Sequence, residues 1–289
     1  MIEFVNAKLN IGLNVVRRRS DGYHDLETLF YPVGRFNGTP ENPTPFCDIL
    51  EITVNHSGGG DVFQFLGRDI DCPPEKNLVV RAVNAFRQEC AAREVSIPDI
   101  KLTLEKHLPD GAGLGGGSAD AAFTLNMLNR LTGRRLEKEA LSGIALSLGA
   151  DCPFFLENRP LFAGGVGERF EEVSLDLDGW WALIVKPEVY ISTKEAFAGI
   201  SPCAPRFDLR NLGKLPIEEW KEYVVNDFEA SIFPAHPELG AIKEKLYDCG
   251  AVYASMSGSG SSIYGLYRDE ETIRHAASMF DRGKYVCKL

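Results

Sequence analysis

"LPDGAGLGGGSADAA", residues 108–122, packs five glycines into the seven positions 111–117 and then runs into alanine. Formally it contains G-x-G-x-x-G at Gly111, Gly113 and Gly116, the dinucleotide-binding pattern. That pattern should open a βαβ unit, with a strand after the helix and an acid about 20 residues on to bind a ribose. The alternating stretch "IKLTLEKHL" (100–108) before the glycines and a helix from Ser118 to Leu131 after them fit. The next segment does not fit: "TGRRLEKEALSGIALSLG" (132–149) has helical spacing, and Glu137 falls inside it. The context therefore speaks against a dinucleotide fold and an NAD-dependent oxidoreductase. A Walker A loop is excluded as well, because no Gly-Lys-Ser/Thr comes after the glycines.

The case for a phosphate survives both exclusions. Consecutive glycines let backbone N–H groups approach an anion closely, and a helix starting near Ser118 adds its positive dipole end. The Ser118 hydroxyl is placed to meet a phosphate oxygen or a magnesium ion. The plainer alternative is a glycine turn that packs a helix tightly on a strand, but so many glycines exceed what a turn needs.

The whole chain narrows the field. Its 289 residues suit one large domain or two moderate ones, and 44% hydrophobic with 25% charged residues is an ordinary globular composition. A net charge of −10 argues against nucleic-acid binding, and Arg17, Arg18 and Arg19 read as a solvated turn. Seven scattered cysteines without a C-x-x-C pair exclude a zinc ribbon and suit reduced thiols. The start "MIEFVNAKLNIGL" lacks a signal-peptide pattern, and no apolar run reaches the ~20 residues of a transmembrane helix. The expectation is a cytoplasmic protein with no membrane partner.

The chain begins with alternation: Lys8, Asn10, Gly12 and Asn14 on one face, Leu9, Ile11, Leu13 and Val15 on the other. That predicts a half-buried strand whose polar face is richer than solvation requires. "SDGYH" (20–24) supplies an Asp-Gly turn and "ETLFYPV" a second strand. "NGTPENPTPF" (37–46) reads as a loop, "DILEITVN" (48–55) and "VFQFL" as strands, and 77–92 as a helix capped by Asn77. The later chain gives a helix over 136–149, the strand "WWALIVKP" (180–187), a short helix in "STKEAFAGI" and a helix ending at Gly250. It closes with strand, glycine turn and strand over 251–267, then a helix and a last strand. Strands and helices do not alternate one for one, which points to α+β layers.

The order of these pieces carries a resemblance. An early strand with a lysine, the loop "LPDGAGLGGGSADAA", then "LGADCPFF", "AGGVGE" and "MSGSGSS" together resemble the GHMP kinase superfamily. Its members are small-molecule kinases that wrap ATP phosphates in a glycine loop. "AKLNIGLNVVRRRSDGYHDLETLF" (7–30) is similar to the branch acting on a cytidine diphosphate conjugate of a sugar alcohol in non-mevalonate isoprenoid synthesis. The resemblance spans the chain. It implies an α+β, two-domain GHMP kinase fold. Residues 1–158 would form an N-terminal ATP-binding domain with a ribosomal-protein-S5-like βαβ arrangement, and 159–289 a C-terminal ferredoxin-like α+β domain.

The resemblance also implies roles. Lys8 and Asp151 fall on the catalytic pair; without the resemblance, Asp151 after Gly149-Ala150 reads rather as a turn residue and Lys8 as a surface lysine. The loop residues Pro109, Asp110, Gly111, Ala112, Gly113, Leu114, Gly115, Gly116, Gly117, Ser118 and Ala119 would hold ATP, with Asn77 and Lys106 on the nucleotide side. Ala119 stands where the family often has a second serine, which leaves the backbone cradle intact. Asn10, Tyr23, His24 and Phe197 would bind the cytidine substrate, Tyr23 and Phe197 stacking on the base and His24 reading its edge. Segments 37–46 and 200–225 match the family poorly in length. The implied cofactors are ATP and Mg2+, the metal carried mainly by phosphates. A homoserine- or mevalonate-type kinase of the same superfamily is the nearest alternative, and a non-catalytic nucleotide-binding module the alternative of another class.

Overall fold

The structure, a computed structural model, describes residues 1–34, 46–69 and 72–289, so all of the 37–46 loop except Phe46 lies outside the described residues. The first elements are β1 (Ile2–Arg18), β2 (His24–Val33), β3 (Cys47–Val54), β4 (Val62–Gly67), α1 (Leu78–Ala92) and β5 (Ile100–Lys106). Next come α2 (Gly116–Leu131), α3 (Lys138–Leu148), α4 (Cys152–Glu157), β6 (Leu161–Gly164), β7 (Arg169–Glu172) and β8 (Trp181–Val185). The remainder comprises α5 (Thr193–Ala198), α6 (Trp220–Tyr223), α7 (Asp227–Ile232), α8 (Pro237–Asp248), β9 (Tyr253–Met256), β10 (Ile263–Tyr267), α9 (Glu270–Ser278) and β11 (Lys284–Lys288). Contacts divide the chain into two units that are not linear segments. One holds Met1–Ala7, Gly115–Asn158 and the described part of Gly38–Asp110; the other holds Gly111–Leu114, Arg159–Leu289 and the described part of Lys8–Asn37.

In the first unit the strand order is β4-β5-β3-β1. β4 and β5 run parallel, and α1 is the crossover between them, the βαβ arrangement expected from the sequence. Asn77 caps α1 as its sequence position predicts, its side chain accepting from Val79 N at 2.9 Å. The helix buries Val79, Ala82, Val83, Phe86 and Cys90, a stripe at helical spacing. A side chain such as Phe86 contributes roughly 2–3 kcal/mol by leaving water. α2 is the central helix and touches α1, α3, α4 and β3. Its Ala119, Ala121 and Ala122 let neighbours approach closely, so it is buried on several sides. Its first residue is Gly116, two earlier than expected, with Gly115 as N-cap.

The second unit holds two strand sets. β1 lies next to β2, and beyond β2 come β6 and β7. The β1–β2 hairpin turns at Ser20-Asp21-Gly22, closed by Arg19 N donating to Tyr23 O at 2.8 Å, with Gly22 at φ 89°. The other set, β11-β8-β10-β9, is antiparallel throughout and has the ferredoxin-like connection order β-α-β-β-α-β. Leu183, Val185, Met256 and Ile263 of that sheet join Phe228, Leu239, Leu246 and Ile273 in one apolar core.

One expectation fails instructively. β1 is not half-buried: every residue from Val5 to Val15 is buried. Its polar face is kept inside because Lys8 and Asn10 find hydrogen-bond partners there, as unpaired polar groups could not.

Candidate active site

The glycine loop has the backbone its composition suggests. φ is positive at Gly111, Gly113 and Gly115 and negative at Ala112 and Leu114 between them. Such alternation turns successive N–H groups toward one concavity, the dihedral signature of an anion nest. The nest runs into the first turn of α2, whose N–H groups have no intrahelical acceptor. The carbonyls point elsewhere and are tied by second-unit partners. Ala112 O accepts from Ser262 N (3.3 Å), Gly113 O from Ser257 Oγ (2.8 Å) and Leu114 O from Lys8 N (2.9 Å). No side chain fits at position 113, where a Cβ would come 2.0 Å from Ser257 O.

Within the first unit several expected residues converge on the start of α2. A Cβ on Gly116 would lie 3.4 Å from Lys106 Nζ, and one on Gly117 3.6 Å from Leu78, the residue after Asn77. The Ser118 hydroxyl bonds the Cys152 thiol, which burial nonetheless pushes up to about 11. Asp151 therefore sits one residue from a partner of the α2 N-terminus. It occupies the N-cap position of α4 yet makes no side-chain cap bond to it, so capping does not explain this carboxylate. Asp110 is exposed on the loop, its carboxylate 4.0 Å from Lys106 Nζ.

Lys106, expected on the nucleotide side, is 2% exposed. Its ammonium donates to Asp48 Oδ2 (2.6 Å) and Asp120 Oδ2 (2.9 Å). Asp48 Oδ1 also accepts from the His107 and Leu108 amides at 2.6 and 2.8 Å, so this carboxylate is well solvated by the protein. Asp120 Oδ1, by contrast, has no partner among the described residues. Burial pushes Asp120 up to about 8, with Lys106 pulling the other way. Burial also works against the charge on Lys106, but Asp120 and Asp48 outweigh it and hold the ammonium above its usual range. Of the two carboxyls, Asp120 is the one that burial raises, and it is the one whose second oxygen lacks a partner among the described residues. The cluster ties β3, the end of β5, the entry to the loop and α2 together. Neither aspartate is marked in the sequence, where 58 residues separate Asp48 from Lys106.

The second unit gathers the polar face of β1. Lys8 Nζ donates to Asn10 Oδ1 and lies 4.6 Å over the Phe30 ring. Asn10 is held at every polar point. Its N donates to Ser257 Oγ (3.1 Å), its O accepts from Tyr264 Oη (3.0 Å), and its Nδ2 donates to Thr28 Oγ1 (3.0 Å). Ser257 therefore links the loop carbonyl of Gly113 to the strand that carries Lys8.

The expected cytidine residues also fall in this unit. Tyr23, 66% exposed, stands on the hairpin turn, and Arg17, whose Nε and Nη2 both donate to Asp25 Oδ2, braces the two strands. His24 and Phe197 stack directly on each other, centroids 4.7 Å apart and 18° between planes, while Phe197 meets Phe228 edge-on. The exposed Tyr190 ring beside Gly111 was not read from the sequence.

Among the described residues, the first unit has a smaller and a larger cavity. The smaller, about 230 Å³, is lined by Phe65, Gly67, Arg68, Cys72, Pro74 and Asn77, and so includes an expected nucleotide residue. The larger, about 510 Å³, flanks the C-terminal half of α2 and contains none of the expected residues. Among the described residues no helix is long and apolar enough to cross a membrane.

Comparison with known proteins agrees with this geometry. Residues 77–158 match the family described as GHMP kinases N terminal domain, and 204–286 the family described as GHMP kinases C terminal. The chain is 47% identical to a 4-diphosphocytidyl-2-C-methyl-D-erythritol kinase of Parabacteroides distasonis over 92% of both chains. It is also 47% identical to one of Bacteroides fragilis over 94% of both. A solved 4-(cytidine 5'-diphospho)-2C-methyl-D-erythritol kinase superposes with TM-score 0.80 at 30% identity, covering 99% of this chain and 98% of that one. A homoserine kinase from Cytophaga hutchinsonii, at 19% identity and TM-score 0.65 over 98% of this chain and 94% of that one, shares the fold.

Proposed function

We propose that this chain, which belongs to the GHMP kinases and among them to the 4-diphosphocytidyl-2-C-methyl-D-erythritol kinase family, phosphorylates the 2-hydroxyl of that compound. It is an ATP-dependent small-molecule kinase of isoprenoid precursor biosynthesis. The observation that carries the reading is the loop at 111–115, whose φ values alternate while its carbonyls are tied back. A cradle of that kind holds phosphate with backbone N–H groups, as an acidic protein handling two polyphosphates requires.

In this reading residues 109–119 hold the ATP phosphates, with Asn77 and the nearby small cavity on the nucleoside side. Asp151 accepts the proton of the acceptor hydroxyl as its oxygen bonds the γ-phosphorus and the bond to the β-phosphate oxygen breaks, releasing ADP. The Lys8 ammonium offsets charge on the transferring oxygens. Lys106 serves from beneath the loop, setting its shape rather than touching phosphate. Mg2+ would arrive on the phosphates, and the residues suit that. Ser118 is the candidate protein contact, since a hydroxyl oxygen has two lone pairs and its bond to Cys152 uses at most one. Asn10, Tyr23, His24 and Phe197 form the acceptor side, with Tyr23 as the exposed aromatic available to a base. The enzyme would work in the cytoplasm on water-soluble substrates.

ADP release measured with a panel of acceptors tests this. We expect turnover with the cytidylyl conjugate and none with homoserine or mevalonate. The reverse pattern would sink the substrate assignment, and ATP binding without turnover on any acceptor would favour a non-catalytic module.

A further inference from the structure

We infer that Thr28 is a positioning residue for phosphoryl transfer: it fixes which way round the Asn10 amide stands and, through Asn10, where Lys8 holds its ammonium. The inference rests on the proposed role of Lys8 in that transfer. Thr28, Asn10 and Lys8 are 2, 3 and 3% exposed. In such a setting a misplaced donor or acceptor has no water to correct it.

A single proton decides the arrangement. Thr28 Oγ1 lies 2.6 Å from Gly12 O, and two oxygens that close must have a hydrogen between them. A carbonyl has none to give, so the Thr28 hydroxyl proton is committed to Gly12. The hydroxyl oxygen can then only accept, and what faces it at 3.0 Å must be the NH2 of Asn10, not its carbonyl. That leaves Asn10 Oδ1 facing Lys8 Nζ, the arrangement observed. A flipped amide would set NH2 against ammonium, donor against donor. The origin of the chain is itself immovable. Gly12 has φ 67°, and a Cβ there would lie 2.9 Å from Leu209 Cδ2, so this backbone admits only glycine without strain. The Phe30 ring on the same strand as Thr28 bounds Lys8 from another side.

Valine has the shape of threonine without the hydroxyl. With Thr28→Val we expect kcat to fall at least tenfold while the KM values for ATP and the cytidylyl conjugate stay within threefold. Thr28→Ser, which keeps the proton and the acceptor, should remain within threefold of the wild-type kcat. Because Thr28 acts through Asn10, adding Thr28→Val to an Asn10→Ala enzyme should change kcat less than twofold. A kcat within twofold of wild type in Thr28→Val, or an equally large loss in the Asn10→Ala background, would overturn the inference. If the valine variant does not fold, Thr28→Ala against Thr28→Ser carries the same test, and equal kcat in the two overturns it. Lys8→Met separates the two claims. Full activity there removes the reading of Lys8 itself, whereas an inactive Lys8→Met beside a fully active Thr28→Val removes only the role of Thr28.

Discussion

Lys106 in the first unit and Lys8 in the second are buried to nearly the same degree, 2 and 3%, and the hydrogen bonds described for them differ. Lys106 lies between two carboxyl groups, with the loop entry hung from one of them. Lys8 lies against an amide oxygen and an aromatic ring, its direction set by a chain of neutral hydrogen bonds. A lysine held by two buried carboxyl groups at hydrogen-bond distance is suited to holding backbone in place. One aimed by an amide oxygen can present its charge to a reacting group. Burial alone does not sort structural lysines from chemical ones.

The largest effect should come from the chemical side. Asp151→Asn and Lys8→Met should each lower kcat by about a thousandfold, the range of a lost general base or charge stabiliser. ATP binding, monitored by calorimetry, should stay within about threefold for Asp151→Asn. Activity surviving within a few-fold would mean that Asp151 is not the base. Lys106→Met should divide the lysines the other way. It leaves Asp48 and Asp120 buried without their cation, which costs about 3–5 kcal/mol of stability. A thermal melt of Lys106→Met close to wild type, with activity lost, would erase the distinction between the two lysines.

How far the sequence carries the same distinction can be judged residue by residue. Periodicity placed Lys8 and Asn10 on one face of β1, and the glycines at 111–117 announced a phosphate cradle, because both signals are local. Asn77 was legible as a cap for the same reason. The burial of the polar face of β1 was not, since it depends on Thr28 and Ser257, the latter 247 residues away from Asn10. Nor was the assignment of Gly111–Leu114 to the second unit, which results from Ser262, Ser257 and Lys8 gripping three carbonyls in succession. Lys106 was placed on the nucleotide side by the resemblance, and nothing in its neighbourhood names Asp48 as its partner. Burial and long-range pairing are properties of the fold, and a pattern of residues carries them only through its tertiary partners.

A smaller effect separates the two carboxylates of the first cluster. Asp48→Asn should destabilise by about 2–3 kcal/mol, because it turns the charge partner of Lys106 into a group with its own donors in a site without water. Asp120→Asn should cost less, about 1–2 kcal/mol, since it keeps an oxygen for Lys106 but sets amide donors where Oδ1 has no partner. Chemical denaturation of the two variants at pH 7 gives the comparison directly. Equal losses would mean that the negative charge is shared between Asp48 and Asp120.

The same assignment has a signature in pH, the mildest of these effects and the one that isolates the proton. Burial raises Asp120 from an ordinary 3.8 to about 8, so the folded protein binds a proton at this site that the unfolded chain releases. A carboxyl raised in this way favours the fold fully below about pH 4, and its contribution is lost as pH climbs through the folded value. Between pH 5 and 8 stability should therefore fall on account of Asp120, with a slope approaching but not exceeding about 1.4 kcal/mol per pH unit. Asp120→Asn has nothing to titrate. The wild-type Tm should accordingly lie above that of the variant near pH 5, and the gap should close or reverse by pH 8. A gap constant across that range would place the negative charge on Asp120 throughout. Lys106 would then stand between two anions, and the two lysines would differ even more sharply than the geometry now argues.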